Sequence, residues 1–293
     1  MIDIKLYLGA HKTATTHLQG ILLANRERLA VRGVALSAPQ DVRKQWLPEF
    51  FRFCSNPSRA GEIELKRKLT ALAPEQGAWI LTEENIVGVS NDLGAKSGIY
   101  PQAAERVRCL LELFPDANVT LFFSLRSYDG FYRSAYSEVV RNRGFIHFDH
   151  FYDEARFRDN SWVTLVRGFH NVLPQDKIVL WKFEDFGSLV SQLIQLLTGQ
   201  QDVSTFLNAY KPEVTRPSLS QKTMDILALL QPVLNRKESL ALVERINRVY
   251  STAASHPPFQ PFDAVQQDVF LARYLDDVAA IRRDFPAIRF LAP

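Results

Sequence analysis

The sequence predicts an α/β fold in which a mostly parallel β-sheet is flanked by helices, with a helical annex at the C-terminal end. The first reason is that short apolar runs alternate with helical patterns over the first two thirds of the chain, as in parallel sheets. The second is that the run Val119 to Leu125 is almost continuously apolar, as expected of a strand covered on both faces. The third is that helical spacing without a convincing strand continues from about Val203.

The first unit of the chain is a strand, a tight loop and a helix. The apolar run Leu6 to Leu8 suits a buried strand and ends at Gly9, and helical spacing begins at Thr15. Such a turn aims several backbone N–H groups and the positive end of the helix dipole at one point. A phosphate group binds at such a point, so the loop is a candidate phosphate site.

This loop is of the P-loop type but differs from the loop of nucleoside triphosphatases. Their motif is G-x-x-x-x-G-K-[ST], with a lysine at the helix start. Here Ala14, Thr15 and Thr16 follow Gly9 at the matching positions, and the lysine is Lys12, inside the loop. The alternative is an ordinary strand-to-helix turn with a solvated lysine.

The other elements follow in order along the chain. Before the annex, strands are predicted at Gly33 to Ser37, Trp79 to Leu81, Val119 to Leu125 and Lys177 to Phe183. Helices are predicted between Asp41 and Leu72, from Gln102 to Phe114, after Arg126, and from about Leu189 up to Gly199. In the annex, the predicted helices cover 219–230, 238–250 and 264–285. The loop-like stretch from Asn85 to Ser97 is a candidate lid.

Two acidic residues follow the strand at Trp79 to Leu81. Glu83 and Glu84 lie just past its end, where open parallel sheets place their active sites. Adjacent carboxylates shift each other's pKa, which suits one of them to act as a general base. The alternative is that both only cap the segment that follows.

An arginine follows the most apolar strand directly. Arg126 stands at its end, and Ser134 lies in the second turn of the helix that comes next. The planar guanidinium offers two parallel donors to an anion, and the serine hydroxyl adds another. The pair can therefore converge on one small anion, although a lone arginine is more often a surface residue.

Composition predicts a single soluble domain. The chain has 293 residues, of which 46% are hydrophobic and 23% charged, and its net charge of +3 gives no reason to expect nucleic acid or a membrane surface as partner. No apolar run approaches the roughly 18 residues of a membrane span, and no basic-then-apolar leader precedes the first strand. We expect a cytoplasmic protein with one domain over 1–293, helical from about residue 203. Cys54 and Cys109 are expected to be reduced, buried thiols.

Together these segments resemble the sulfotransferases that use 3′-phosphoadenosine-5′-phosphosulfate (PAPS), particularly bacterial and carbohydrate-modifying members. The stretch Leu8 to Thr16 is similar to the family's 5′-phosphosulfate loop, and Arg126 with Ser134, eight residues later, is similar to its 3′-phosphate motif. Weaker similarities lie at Trp181 to Asp185 and at Arg216 to Leu219. One departure is Ala14, where the family usually has glycine; if this position needs a positive φ, the alanine is strained.

The resemblance implies a donor site for PAPS without a metal ion. Lys12 would reach the bridging oxygen of the donor, and the 3′-phosphate would bind Arg126 and Ser134. The 5′-phosphate would lie in the loop, whose remaining candidate residues are His11, Thr13, Ala14, Thr15 and Thr16. A later segment would cover the nucleotide, and its candidate residues are Arg216 and Ser218.

The resemblance also implies a sulfuryl transfer to a hydroxyl or amine of a carbohydrate or small molecule. Glu83 is the first candidate for the base and Glu84 the second, with His11 and His17 as alternatives. Two other hypotheses stay open. The first is that the protein is an ATP- or GTP-dependent phosphoryl transferase of the P-loop type. The second is that it is a catalytically silent relative that binds nucleotide or a partner protein.

Overall fold

One parallel β-sheet forms the centre of the protein. The computed structural model describes residues 2–74, 77–89, 98–153, 160–212 and 217–293. Six strands are seen there: β1 (Ile2–Tyr7), β2 (Val34–Ser37), β3 (Gly77–Thr82), β4 (Asn118–Leu125), β5 (Ile178–Lys182) and β6 (Arg289–Phe290). Their order is β2-β3-β1-β4-β5-β6, and each neighbouring pair is parallel. The predicted parallel α/β fold is confirmed.

Helices surround this sheet. Those before β5 are α1 (Thr15–Ala24), α2 (Arg26–Val31), α3 (Pro39–Val42), α4 (Leu47–Ser55), α5 (Arg59–Thr70), α6 (Ala103–Leu113), α7 (Tyr128–Arg143), α8 (Phe148–Phe151) and α9 (Trp162–His170). Those after β5 are α10 (Phe186–Thr198), α11 (Val203–Ala209), α12 (Gln221–Leu230), α13 (Arg236–Val249) and α14 (Ala264–Asp284). Across the described part of the chain, no helix combines the length and the apolar character needed to cross a membrane.

The sheet has a hydrophobic layer on each face. Side chains alternate across a strand, so Leu6 and Phe123 pack on one side, while Tyr7 and Phe122 pack on the other. Residues of α4, α5, α6, α9 and α14 cover the Leu6 side, and residues of α1, α10 and α11 cover the Tyr7 side. This two-sided burial explains why β4 is almost continuously apolar.

The C-terminal part divides between two locations. Helices α12 and α13 form a separate apolar cluster with α7, as a helical annex would. Helix α14 instead returns to the main core through Phe270, Tyr274 and Ile281, and it leads to β6, where Phe290 pairs with Leu180 of β5. The prediction that no strand follows Val203 is therefore wrong. A strand of two residues is too short to show an alternating pattern.

The strand order creates a crevice above β1. The chain runs from β1 to β2 and β3 on one side and then places β4 on the other side. Ligands bind at the carboxyl ends of the strands at such a reversal. Tyr7 pairs with Thr82 of β3 and with Phe122 of β4, so the loops after these three strands emerge at one edge. The strand leading to Glu83 is thus a direct neighbour of the first strand.

The two cysteines lie on helices that pack against each other. Cys54 belongs to α4 and Cys109 to α6, and both are free thiols. Cys109 is buried as predicted, whereas Cys54 is only partly buried. Burial raises the pKa of each thiol, which keeps both in the protonated, weakly reactive form.

Candidate active site

The loop after β1 is shaped by three residues with positive φ. Gly9, Lys12 and Ala14 have φ angles of 61°, 64° and 58°. At Gly9 an added Cβ would lie 2.6 Å from Cγ2 of Thr15, so the close approach of the loop to α1 requires glycine. Ala14 occupies the left-handed region with a ψ of 21°, so this position does require the conformation that strains an alanine.

Buried hydroxyls attach the loop to β4. The Thr13 hydroxyl donates to the Ala10 carbonyl at 2.6 Å and accepts from the Ser124 hydroxyl at 2.5 Å. Thr13 is fully buried, so its hydroxyl stabilises the loop, and its backbone N–H is the group left for a ligand. Thr15 is buried and Thr16 exposed where α1 begins, and α1 has no side-chain cap, which leaves its first N–H groups for an anion.

His11 anchors the other side of the loop. Its backbone N–H donates to the Tyr100 hydroxyl at 2.8 Å, and its Nδ1 lies 2.8 Å from the same hydroxyl. Its Nε2 lies 3.2 Å from Oδ1 of Asn85. Because both ring nitrogens have partners and burial lowers the pKa of His11, the ring is held neutral and supports the loop. His17 packs edge-on against Phe186 and Tyr210.

Four of the predicted binding residues line one cavity at the mouth of the crevice. They are Lys12, Arg126, Ser134 and Ser218, and the other lining residues are Arg133, Ser137, Arg141, Leu219, Pro258 and Phe259. The cavity measures about 90 Å³, well below the roughly 300 Å³ or more that encloses a drug-sized ligand. It therefore fits one small group such as a phosphate. Arg216, also predicted here, lies outside the described residues.

Arg126 is positioned by a backbone oxygen and an aromatic ring. Its Nη1 donates to the carbonyl of Lys12, and its guanidinium lies 4.5 Å from the ring centre of Phe183. Burial, and then the charge of Arg133, lower the pKa of Arg126 to about 10, which leaves it protonated at neutral pH. It is thus a partly desolvated cation directed at the cavity.

Lys12 forms a weak ion pair with Glu138. Its Nζ lies 3.4 Å from Oε2 of Glu138, and 37% of the side chain is exposed. Burial raises the pKa of Glu138, but Lys12 and the amide of Asn142 outweigh this effect, so that the pKa is lowered. An exposed pair of this length contributes at most about 1 kcal/mol. Lys12 can therefore leave Glu138 for a stronger anion.

The two glutamates after β3 are joined by one arginine. Arg43 places Nε 2.7 Å from Oε2 of Glu83 and Nη2 2.7 Å from Oε1 of Glu84. Glu83 is fully buried and also accepts from the backbone N–H and the side-chain amide of Asn85, at 3.0 and 2.6 Å. Burial raises the pKa of Glu83, and Arg43 opposes this rise.

Glu84 is the more accessible carboxylate. Its side chain is 15% exposed, and Oε2 accepts from Nε2 of Gln19 at 3.3 Å, a long hydrogen bond. Glu83 has no exposed surface and already accepts three hydrogen bonds. The geometry therefore favours Glu84 as the base, whereas the sequence favoured Glu83; the choice stays a prediction.

Among known proteins, one similar solved structure is a sulfotransferase from Alicyclobacillus acidocaldarius. The likeness covers 82% of this chain and 95% of that chain, with a TM-score of 0.41 and 16% sequence identity. No family model and no curated protein matches the chain. At this TM-score the likeness carries no argument about activity.

The sequence did not identify five of the residues near the site. Arg133, Ser137 and Arg141 recur every four residues on α7, so helical spacing could have placed them on the face that holds the cavity. Glu138 lies four residues after Ser134, so helical spacing also indicates its face, although not its pairing with Lys12; Arg43 gave no such signal, because it is recognisable only by its partners in space. In the described ranges no cluster of three or more His, Cys, Asp or Glu is suited to hold a metal ion.

Proposed function

We propose that this protein is a PAPS-dependent sulfotransferase, which moves a sulfuryl group to a hydroxyl or amine of a carbohydrate or small molecule. One observation carries the proposal: Lys12, from the loop after β1, and Arg126, from the end of β4, line the same cavity. A nucleotide with phosphates at both its 5′ and 3′ positions can place the 3′-phosphate in this cavity, beside Arg126, and the 5′-phosphate at the adjoining loop that carries Lys12. A nucleoside triphosphate has no second phosphate cluster to occupy the Arg126 side.

The chemistry requires that charge be stabilised on the leaving phosphate. The bond between sulfur and the bridging phosphate oxygen breaks as the acceptor oxygen bonds to sulfur, so negative charge grows on that bridging oxygen. Lys12 donates to it, and the N–H groups of the loop and of the first turn of α1 hold the 5′-phosphate. Lys12 has to exchange Glu138 for the donor, which the long ion pair allows.

The acceptor hydroxyl loses its proton to a carboxylate. Glu84 is the proposed base because part of its surface is accessible, while Glu83, saturated by donors, orients Arg43. Arg126 and Ser134 hold the 3′-phosphate, and Ser218 also lines the same cavity. Three points stay predictions from the sequence: that Arg216 covers the nucleotide, that the acceptor is a carbohydrate or small molecule, and that the protein is cytoplasmic.

Ligand-induced stabilisation tests the proposal without knowledge of the acceptor. Adenosine 3′,5′-bisphosphate, the desulfonated donor, at about 100 times its Kd should stabilise the fold by about 2.7 kcal/mol, a rise of several degrees in Tm, without magnesium. The control ligand is ATP with and without Mg²⁺. A larger, Mg²⁺-dependent shift with ATP would identify a phosphoryl transferase instead. No shift with the bisphosphate would reject the proposal.

A further inference from the structure

We propose that Arg133 is a second guanidinium ligand for the 3′-phosphate and makes the cavity select a doubly charged phosphate monoester. This inference rests on the proposed function and extends it to a residue outside the motif that suggested it. Arg133 lies one position before Ser134 on α7, and both line the cavity. Ser134 has no side-chain hydrogen bond in the described part of the chain and is available to the same anion.

The cavity has more cationic than anionic groups. Lys12, Arg126, Arg133 and Arg141 all line it, and among the described lining residues there is no carboxylate. Lys12 is paired with Glu138 at 3.4 Å. Arg141 is paired with Glu244 at 3.0 Å.

The other two cations have no acidic partner. Within the residues that the structure describes, neither Arg126 nor Arg133 lies within 4.0 Å of a carboxylate oxygen. Arg126 donates to the carbonyl of Lys12, whereas the guanidinium of Arg133 makes no hydrogen bond to a described residue. The two are also close enough to repel each other, since the charge of Arg133 lowers the pKa of Arg126. Glu184 and Asp129 act on Arg126 only from beyond 4.0 Å, and they raise its pKa less than burial and Arg133 lower it, so an excess of positive charge remains at the cavity.

This charge balance matches one dianion. Two like charges in a partly desolvated cavity repel each other, so the proximity of Arg126 and Arg133 is electrostatically unfavourable. A phosphate monoester carries about two negative charges at neutral pH and accepts paired hydrogen bonds from guanidinium groups. Binding it removes the repulsion between Arg126 and Arg133 and adds charge-assisted hydrogen bonds.

Arg141 does not take this role. Its side chain is only 4% exposed, its Nε contacts Glu244, and its Nη2 donates to the carbonyl of Pro217. Its donors are thus used to join the segment before Ser218 and helix α13 to α7. Arg126 and Arg133 remain as the two cations free to meet the anion.

The role predicts opposite effects on stability and on binding. Replacing Arg133 removes the repulsion with Arg126, so the unliganded protein should be as stable as the wild type or more stable. The same change removes a phosphate ligand, so the affinity for the 3′-phosphate should fall. A residue that only supports the fold would lower the stability and would affect all nucleotides equally.

Calorimetric titration at fixed ionic strength tests this with two ligands, adenosine 3′,5′-bisphosphate and 5′-AMP. For Arg133→Gln we expect the affinity for the bisphosphate to fall about 10- to 100-fold, the range for a charge-assisted hydrogen bond, and the affinity for 5′-AMP to change less than about threefold. Arg133→Lys keeps the charge without the fork and should lose less. Arg143→Gln, on the same helix but at a different cavity, is the control and should change neither.

The ratio of the affinity for adenosine 3′,5′-bisphosphate to that for 5′-AMP decides whether Arg133 binds the 3′-phosphate. An unchanged ratio in Arg133→Gln would overturn the assignment, whatever the Tm of the variant, and an unchanged ratio together with a lower Tm would give Arg133 a structural role. If the wild type fails to bind the bisphosphate at all, the proposed function fails with the inference. A wild type that binds it and a variant that binds it equally well reject the inference alone.

Discussion

At the scale of single residues, the alanine at the start of α1 shows a local conflict between sequence and backbone. Ala14 has a φ of 58°, in a region that costs an L-residue about 1–2 kcal/mol. The cost persists because the residues on both sides are fixed, by the Thr13 hydroxyl bonds and by α1. Such strain is common where a loop has to present its backbone to a ligand.

Relief of this strain should be measurable. We expect Ala14→Gly to raise the free energy of unfolding by about 0.5–1 kcal/mol, because glycine adopts positive φ freely and this outweighs its larger entropy in the unfolded chain. Urea denaturation measures the change as a higher midpoint at constant slope. Ala272→Gly, at an exposed position inside α14, is the matched control and should lower stability by about 1 kcal/mol. Equal destabilisation by both variants would contradict the strain at Ala14.

The two glutamates after β3 should respond differently to neutralisation. Glu84→Gln should lower turnover about 100-fold or more and leave the affinity for adenosine 3′,5′-bisphosphate unchanged, because the base acts on the acceptor. Glu83→Gln removes a buried carboxylate that is one of the two charge partners of Arg43, and it should chiefly lower stability. Turnover is followed as transfer of labelled sulfate from PAPS to acceptors found by screening glycans. A Glu83→Gln protein that is stable but inactive, beside an active Glu84→Gln protein, would reverse the assignment.

At the scale of elements, α7 connects the sheet to the C-terminal annex. The face that carries Arg133, Ser137 and Arg141 lines the cavity, and the same helix packs against α13 and α14. Arg141 is the polar part of this junction, because it contacts both Glu244 of α13 and the carbonyl of Pro217.

The junction should contribute more stability than a surface ion pair. Arg141→Met keeps the apolar stem but leaves the Pro217 carbonyl without its donor, and we expect a loss of about 1–3 kcal/mol. Lys66→Met breaks the exposed pair between Lys66 and Glu62 on α5 and should cost about 0.5 kcal/mol or less. Chemical denaturation of the two variants gives the comparison. Similar losses for both would show that Arg141 acts as an ordinary surface residue.

Strands and helices could be predicted where the pattern of apolar residues lies within the element itself. The strands that lead to Lys12, Glu83 and Arg126 each contain a short apolar run near their end, so the residues at those ends could be located from the sequence. The strand β6 could not, because its two residues are ordered by pairing with β5. Arg43 could not either, since it reaches the glutamates from the segment after α3.

At the scale of the whole molecule, a chain of hydrogen bonds connects the phosphate loop with the acidic end of β3. From the loop, His11 contacts Asn85, and Asn85 donates to Glu83. Arg43 then contacts both Glu83 and Glu84. The proposed donor and acceptor sides of the crevice are thus joined by polar groups, and the ionisation of the two buried ones, His11 and Glu83, affects the stability of the fold.

Stability should depend on pH through His11. Burial lowers its pKa in the folded protein below the value of 6.5 expected when unfolded. Between these two pKa values the unfolded chain binds more protons, so stability falls as the pH falls below about 6.5, by at most about 1.4 kcal/mol per pH unit. Urea unfolding at pH 7.5 and 5.5 should show a smaller loss for His11→Gln than for the wild type. An equal loss in both would remove His11 as the cause.

The central claim is that one nucleotide contacts the loop after β1 and the cavity beside β4 at the same time. A crystal structure of the complex with adenosine 3′,5′-bisphosphate tests this most directly. The account predicts the 5′-phosphate within hydrogen-bonding distance of Lys12 and the loop N–H groups, and the 3′-phosphate between Arg126, Arg133 and Ser134. A nucleotide bound elsewhere, or one whose two phosphates both lie in the loop after β1, would contradict it.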